Sequence, residues 1–463
     1  MEFFLALVGF TSLILIVYLL LTDKTTPAVA FIIVSGMSAI LLVLLDMYLH
    51  VGIGNILKEK FNIAYFAKMD NPIFDFAALQ HFIRQGVNSV SSTAVLFIFA
   101  ILFFGLLNEA GVFNKIINIL LRFSKNNVYS ICLLTAIISI VVHLDGSGAS
   151  SFLIVIPAML PIYEKLGIRK TTLMTIIAIS LGVMNLLPWG GPTLRAATII
   201  GTDANVIWHQ LIPIQIIGLV CAFGVALILA RQEIKRGAGQ SLSYEENFHQ
   251  LDFGEHHKDN TFLLNLILLL VILVLLIANI LPSYFLFMLG FCFALFINYP
   301  KLDIAQKLID KYSKSAILMA TTLFGAGILI GVFDKSGVMK VMASVILEIL
   351  PDWAVMLIPL IVGISAVPMA LIFCTDSYFF GIMPIVVSIT SQLGIDPMSI
   401  AIIMVVARNC ATFISPVVPA TLLGCGLSGV SIKEHIKNSF FYVWVVSIIC
   451  LSTGSALGVI QFF

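Results

Sequence analysis

The sequence predicts an all-α polytopic membrane protein made of two inverted repeats, each with five transmembrane helices and one re-entrant hairpin. Three observations predict it. The 463 residues are 60% apolar and 11% charged, with a mean hydropathy of +1.09, far outside the soluble range. Two short polar tips, 143–151 and 374–377, interrupt apolar chain. Landmarks also recur at a near-constant offset: Gly111 to Gly337 is 226, Asp145 to Asp376 is 231, Pro188 to Pro416 is 228 and Pro192 to Pro419 is 227.

The elements follow in order. Residues 3–21 and 27–45 are an opening pair of spans, the first retained rather than cleaved because no basic region precedes it. Residues 50–90 are polar and partly amphipathic and are expected outside the bilayer core, with the third span at 93–107. Residues 112–123 carry Lys115 and Arg122 at helical spacing, as an interfacial helix does. The apolar arms 131–142 and 152–162 are about a dozen residues each, whereas a crossing takes about 20, so 129–163 reads as a re-entrant hairpin. In 171–200, Pro188-Trp189-Gly190-Gly191-Pro192 must break the helix, and 211–230 closes the first half (1–230).

Residues 231–260 are the longest polar segment, a linker placed in the cytoplasm. The second half, 261–463, repeats the plan: spans at 262–281 and 283–297, a third at 315–332, a hairpin at 354–391, a broken helix at 397–428 and a closing span at 440–460. Five crossings per half make the halves inverted. Seventeen Lys and Arg then fall in cytoplasmic loops against six opposite, which puts both termini outside; a multi-pass protein of the cell (inner) membrane is expected. A formal net charge of +1 with no basic stripe excludes a nucleic-acid partner; the seven scattered Cys read as buried small side chains rather than disulfides.

Two tips and two broken helices related by inversion are what a secondary transporter gathers at the bilayer midplane. Half-helices beginning near Ser150, Pro192, Ser377 and Pro416 would aim unpaired amides there, which suits an anion. Arg195 and Arg408 flank the breaks, where a guanidinium can fork onto a substrate carboxylate or instead pair with a tip Asp. Thr193 stands beside them. Asp145 and Asp376 have three readings: ligand of a divalent cation, proton acceptor, or cap of the following half-helix. Carboxylate, hydroxyl and carbonyl oxygens form a hard set suited to Mg²⁺ or Ca²⁺. His143 is either a proton relay or hydrogen-bonded structure, and Trp189 either a packing residue or a lid. Gly146-Ser147-Gly148 also fits a serine nucleophile, but an intramembrane protease leaves the repeat and the second Asp tip unexplained. A receptor lacks a soluble domain to read out a signal.

The run His143-Leu-Asp-Gly-Ser-Gly-Ala-Ser-Ser-Phe-Leu-Ile-Val-Ile-Pro-Ala-Met-Leu-Pro, followed by Asn185-Leu-Leu-Pro-Trp-Gly-Gly-Pro-Thr-Leu-Arg-Ala-Ala, resembles the citrate–metal:proton symporter family of the ion transporter superfamily. Phe104-Gly-Leu-Leu-Asn-Glu-Ala-Gly-Val-Phe is similar to that family's third span, and the resemblance covers essentially the whole chain. It implies proton-coupled uptake of citrate complexed with Mg²⁺, Ca²⁺ or a similar cation as co-substrate, with no tightly bound cofactor. It also implies a homodimer in which a scaffold holds a transport domain that moves like an elevator. Family motifs carry over to Asp145, Gly146, Ser147, Ser150, Thr375, Asp376 and Ser377 at the tips, and to Asn185, Gly190, Gly191, Asn409, Thr412 and Ser415 at the breaks. Asn108-Glu109 departs from the family's Thr-Asp and is expected outside the site. The tips also differ from the Ser-Asn-Thr motifs of sodium-coupled dicarboxylate relatives; an Asp in place of Asn favours proton or divalent-metal coupling over sodium.

Overall fold

The computed structural model describes residues 2–22, 24–122, 127–239, 261–351, 354 and 357–462, and these contain helices and no strand. Residues 240–260, most of the expected linker, lie outside the described residues.

Helices α1 (Glu2–Leu21) and α2 (Pro27–Leu49) form the opening pair, at 20 and 23 residues long enough to cross a bilayer. Where they touch, the Ser12 and Ser38 hydroxyls share a hydrogen bond of 2.7 Å. Asp46, near the end of α2 and 3% exposed, accepts from the backbone N–H groups of Ile53 (2.7 Å), Gly54 (3.0 Å) and Phe74 (2.6 Å). One carboxylate thus gathers the segment that holds the short helices α3 (Ile53–Glu59) and α4 (Ala64–Ala67).

The third span corrects the sequence reading. Helix α5 (Phe76–Glu109) begins 17 residues before the expected 93, capped by Asp75, whose side chain accepts from Ala78 N at 2.8 Å. Its counterpart α14 (Leu302–Leu329) begins 13 residues before the expected 315 and runs on into a π-turn, Ile330–Lys335. At 34 residues each, these helices outreach the bilayer by more than half. The polar residues that suggested loops, among them Gln80, Arg84, Lys307 and Lys311, occupy the outer faces of helix ends, while Ala78, Leu79, Phe82, Gly86 and Val90 are buried at helical spacing.

Helices α5 and α14 cross on glycine. A Cβ at Gly86 would stand 2.5 Å from Gly331 N and 2.7 Å from Gly331 Cα, with the Gly327 carbonyl closer still, so backbone meets backbone. A second close approach sets Gly105 against the Tyr312 ring, where a Cβ would stand 2.7 Å from Cδ1. Tyr312 is 226 positions after Gly86, and Gly331 is 226 after Gly105, so one contact maps onto the other at the offset that separates Gly111 from Gly337.

Around this crossing, α1 and α2 pack with α14 and α15 (Val338–Ile349), and α5 packs with α13 (Ser283–Asn298), which pairs with α12 (Phe262–Ala278). A second group comprises α7 (Val128–Val142), α8 (Gly148–Lys165), α9 (Lys170–Met184), α10 (Gly191–Ile200), α11 (Ala204–Lys235), α16 (Ile358–Ala370), α17 (Met383–Gln392), α18 (Pro397–Cys410), α19 (Pro419–Ser428) and α20 (Ile432–Ala456). The amphipathic α6 (Val112–Arg122) fits the expected interfacial helix.

Three further boundaries differ from expectation. The first hairpin's arms are 15 and 18 residues rather than a dozen. Helix α11 runs five residues past the expected boundary at 230. The last helix starts at Ile432 because Ser431 and Glu434 form a capping box. Among the described residues, eight helices or helix pairs are long and apolar enough to cross a membrane.

Candidate functional site

The first tip is built by its own backbone. Helix α7 tightens into a 3₁₀ turn, His143–Asp145, and Gly146 takes φ = 69°, which a side chain resists. Asp145 accepts from Ser147 N at 2.8 Å, and Ser147 Oγ accepts from Ser150 N at 3.3 Å. The cap of α8 is therefore Ser147; Asp145 closes the turn and also meets the Ser150 side chain. His143 is fully buried. Ser151 gives its proton to the Ser147 carbonyl (2.8 Å), so its oxygen receives Nδ1–H of His143 (2.8 Å). His143 thus holds the hairpin and leaves Ser147 without a general base, which removes the geometric basis for a serine nucleophile.

Trp189 from the first break lies over this tip. Its Nε1 donates to the Leu144 carbonyl (2.8 Å), and a Cβ on Gly146 would meet the indole at 3.2 Å. Its ring packs on Phe104 and Phe287, so it acts as packing, not as a free lid. The break itself runs from Asn185 to Gly190, with Gly190 as the cap residue of α10 and Pro192 in the first turn. A Cβ at Gly190 would fall on the Asn185 carbonyl, and Thr193 donates to Leu186 O (3.1 Å). The two breaks meet where Asn185 Nδ2 donates to Asn409 Oδ1 (3.3 Å) and Asn409 Nδ2 to Asn185 O (3.4 Å).

The second tip differs from the first. Ser377 starts a π-turn, Ser377–Ile382, instead of an α-helical N-terminus, and its hydroxyl contacts Cys374 Sγ at 3.1 Å; Thr375 beside it is partly exposed. Asp376 caps nothing. Arg195 Nε donates to Asp376 Oδ1 at 2.7 Å, an ion pair 8% and 17% exposed that spans both halves. Arg408 is fully buried among the same elements, its Nη1 donating to Thr412 Oγ1 (3.3 Å) and its Nη2 to Phe373 O (3.1 Å), with the guanidinium carbon 5.9 Å from the Tyr378 ring centroid. No carboxylate pairs with Arg408 among the described residues, and its Nε has no partner there. Helix α19 begins at Pro419, not at Pro416 as expected; Ser415 donates to Ala370 O (2.5 Å) rather than capping.

A cavity of about 340 Å³, within the range of small-molecule sites, opens on the first tip. Asp145, Gly146, Ser147 and Ser150 line it from the hairpin, Trp189 from the break, and Asn108, Tyr312 and Met319 from the long helices. Asn108, expected outside the site, lines this cavity. The signal was Gly105, one helical turn earlier on the same face, whose missing side chain lets α5 approach. Met319 links the tips, since its Sδ lies 4.0 Å from Arg195 Nη2. Asp376, Thr375, Ser377, Arg408, Asn409, Thr412 and Ser415 do not line this cavity. A larger cavity of about 700 Å³, with Lys60, Asp334, Lys335 and Lys340 in its wall, touches none of the expected site residues. No trio of His, Cys, Asp or Glu converges among the described residues, so a cation would rest on one carboxylate with hydroxyl and carbonyl oxygens.

The family model for citrate transporters (CitMHS) matches residues 6–407. Over 460 residues the chain is 30% identical to a Bacillus subtilis (strain 168) protein named citrate transporter, covering 99% of this chain and 100% of the relative. Over 387 residues it is 32% identical to the same organism's Mg(2+)/citrate complex secondary transporter, covering 83% and 89%. The Alcanivorax borkumensis YdaH transporter, described as having an unusual topology, superposes with a TM-score of 0.62 at 14% identity over 94% of this chain and 98% of its own. That likeness speaks to the fold alone. With a family match over most of its length, a relative aligned end to end, and helices long and apolar enough to cross a membrane among the described residues, the chain belongs to the citrate transporter family.

Proposed function

We propose that the protein takes up citrate complexed with a divalent cation, in symport with protons, by an elevator-type movement of the hairpins and broken helices against a scaffold formed by α1, α2, α5 and α12–α15. The observation that carries this reading is the cavity at the first tip, where a carboxylate with no cationic partner among the described residues stands beside two serine hydroxyls. A relative named for the Mg²⁺/citrate complex supports the cargo. The offset-matched glycine contacts of α5 and α14 support an inverted repeat of five spans and one hairpin per half. The polar tips support re-entrance, because a carboxylate and free amides in contact with lipid cost several kcal/mol each. Both termini outside, a homodimer, an inner-membrane location and proton coupling complete the proposal.

Uptake of labelled citrate into proteoliposomes tests it. Uptake should require Mg²⁺ or Ca²⁺, stop with EDTA, and rise with an inwardly directed proton gradient. Uptake driven by a sodium gradient and indifferent to EDTA would instead establish a sodium-coupled carboxylate carrier.

A further inference from the structure

The backbone of the two halves repeats, but the charges do not. At the offsets of 227 and 228 set by the prolines of the breaks, the positions matching Arg195 are Leu422 and Leu423, and those matching Arg408 are Leu181 and Ser180. Neither arginine has a counterpart. Both gather at the second tip, Arg195 on Asp376 and Arg408 on the Phe373 carbonyl and over the Tyr378 ring. Two guanidiniums facing one carboxylate leave that tip with one uncompensated positive charge, on a fully buried side chain with no carboxylate partner among the described residues.

The first tip is the electrical inverse. Asp145 has no cationic partner among the described residues and borders the cavity with the Ser147 and Ser150 hydroxyls. The other carboxylate nearby is already satisfied: Glu109 takes the Tyr312 hydroxyl (2.9 Å) and pairs with Lys311. Asp145 therefore carries the uncompensated negative charge of the site.

We propose that the metal–citrate complex binds one way round, its divalent cation on Asp145 at the first tip and its free carboxylates toward Arg195 and Arg408 at the second. Asp376 is then not a cation ligand but a positioning residue that holds the Arg195 guanidinium by Nε and leaves its Nη groups free of any carboxylate among the described residues, Nη2 facing Met319 Sδ on the cavity wall. The proposal rests on the reading of the protein as a carrier of a metal–carboxylate complex. Negative charge on the cavity wall at Asp145 and positive charge at Arg195, whose Nη2 lies 4.0 Å from the Met319 Sδ of that same wall, select the orientation that matches the cargo's own polarity.

The test is initial citrate uptake by the full-length protein in proteoliposomes, titrated with MgCl₂ at fixed citrate and with citrate at saturating MgCl₂. Asp145→Asn should raise the half-saturating Mg²⁺ concentration at least tenfold, since even outer-shell partners of a metal site are worth about ten- to a hundredfold. Asp376→Asn should leave that concentration within about twofold and act on the citrate titration instead. An equal Mg²⁺ shift in both variants, or one confined to Asp376→Asn, overturns the assignment. Binding gives a second readout that survives loss of transport: Mn²⁺ added with citrate should quench the fluorescence component absent from Trp189→Phe, because Trp189 packs on Gly146. That quenching should persist in Asp376→Asn and vanish in Asp145→Asn; the reverse pattern sinks the proposal. Absence of cation-dependent citrate uptake by the unaltered protein would count against the carrier reading itself, while the Mn²⁺ titration would still decide which Asp meets the cation.

Discussion

Gly86→Ala pits two opposing terms against each other at the α5–α14 crossing. Alanine is favoured over glycine inside a helix by about 1 kcal/mol. Against that, the new methyl would stand 2.5 Å from Gly331 N and 2.7 Å from Gly331 Cα, where carbon contacts settle at about 3.5–4 Å. The obstacle is backbone on every side, so no rotamer change relieves it, and the helices must part by about 1 Å. Overpacking costs typically about 1–3 kcal/mol, and the absence of any side chain that can yield puts this site at the upper end. The net effect is about 2 kcal/mol of destabilisation. Gly36 in α2 and Gly224 in α11 are the controls: a Cβ at either meets nothing within 4 Å, so only the propensity term operates and each alanine variant should gain up to about 1 kcal/mol. Size-exclusion analysis of detergent-solubilised protein after a temperature series reads the difference. Gly86→Ala should lose its monodisperse peak at least about 3 °C below the unaltered protein, with Gly36→Ala and Gly224→Ala at or above it. A Gly86→Ala protein as heat-resistant as Gly36→Ala would refute the backbone-on-backbone crossing.

Three further expectations follow from buried polar groups. Asp46→Asn replaces a pure acceptor by a group that turns an NH₂ toward backbone donors, at a cost of about 1–3 kcal/mol; limited proteolysis should then cut within 50–75, and resistance equal to the parent would refute the carboxylate's role. Asn265 and Asn298 exchange two hydrogen bonds of 2.8 Å between α12 and α13, so Asn298→Leu should cost about 0.6–1.7 kcal/mol in a thermal shift and adding Asn265→Leu should recover most of it. Ser147→Ala removes the α8 cap, worth about 1 kcal/mol, and a hydroxyl of the cavity wall; its melting temperature should fall slightly while its half-saturating Mg²⁺ rises, and an unchanged cation titration would place Ser147 outside the cation's reach.

Much of this arrangement is legible in the chain, and the exceptions have physical causes. The opening helices are continuous apolar runs that admit one reading. The breaks announce themselves because proline and glycine act locally, and Pro192 lies in the first turn of α10. Helices α5 and α14 run longer than the sequence predicts, because hydropathy measures the bilayer and a helix extending past it shows polar residues that look like loop. Pro416 misled for a different reason: Pro419, three residues on, satisfies the same first-turn preference, and the choice is made by Ser415 donating to Ala370, a contact 45 positions away. Asn108 was missed because only the approach of α5 to the hairpin brings it to the cavity. The pairing of Arg195 with Asp376 is not legible in the chain, since spacing does not decide which partner lies 181 positions away.

The amide bridge between Asn185 and Asn409 has a consequence for how such a chain can change over generations. Each half contributes one asparagine, 224 positions apart, and each side chain serves the other's break. A substitution at Asn409 strands the Asn185 amide in a buried place, and one at Asn185 takes the donor from Asn409 Oδ1, so neither residue is free to drift alone. The two positions should be inherited as a unit: a lineage that replaces one will carry a compensating replacement at the other, and the two breaks stay tied at that point long after the sequences around them have diverged.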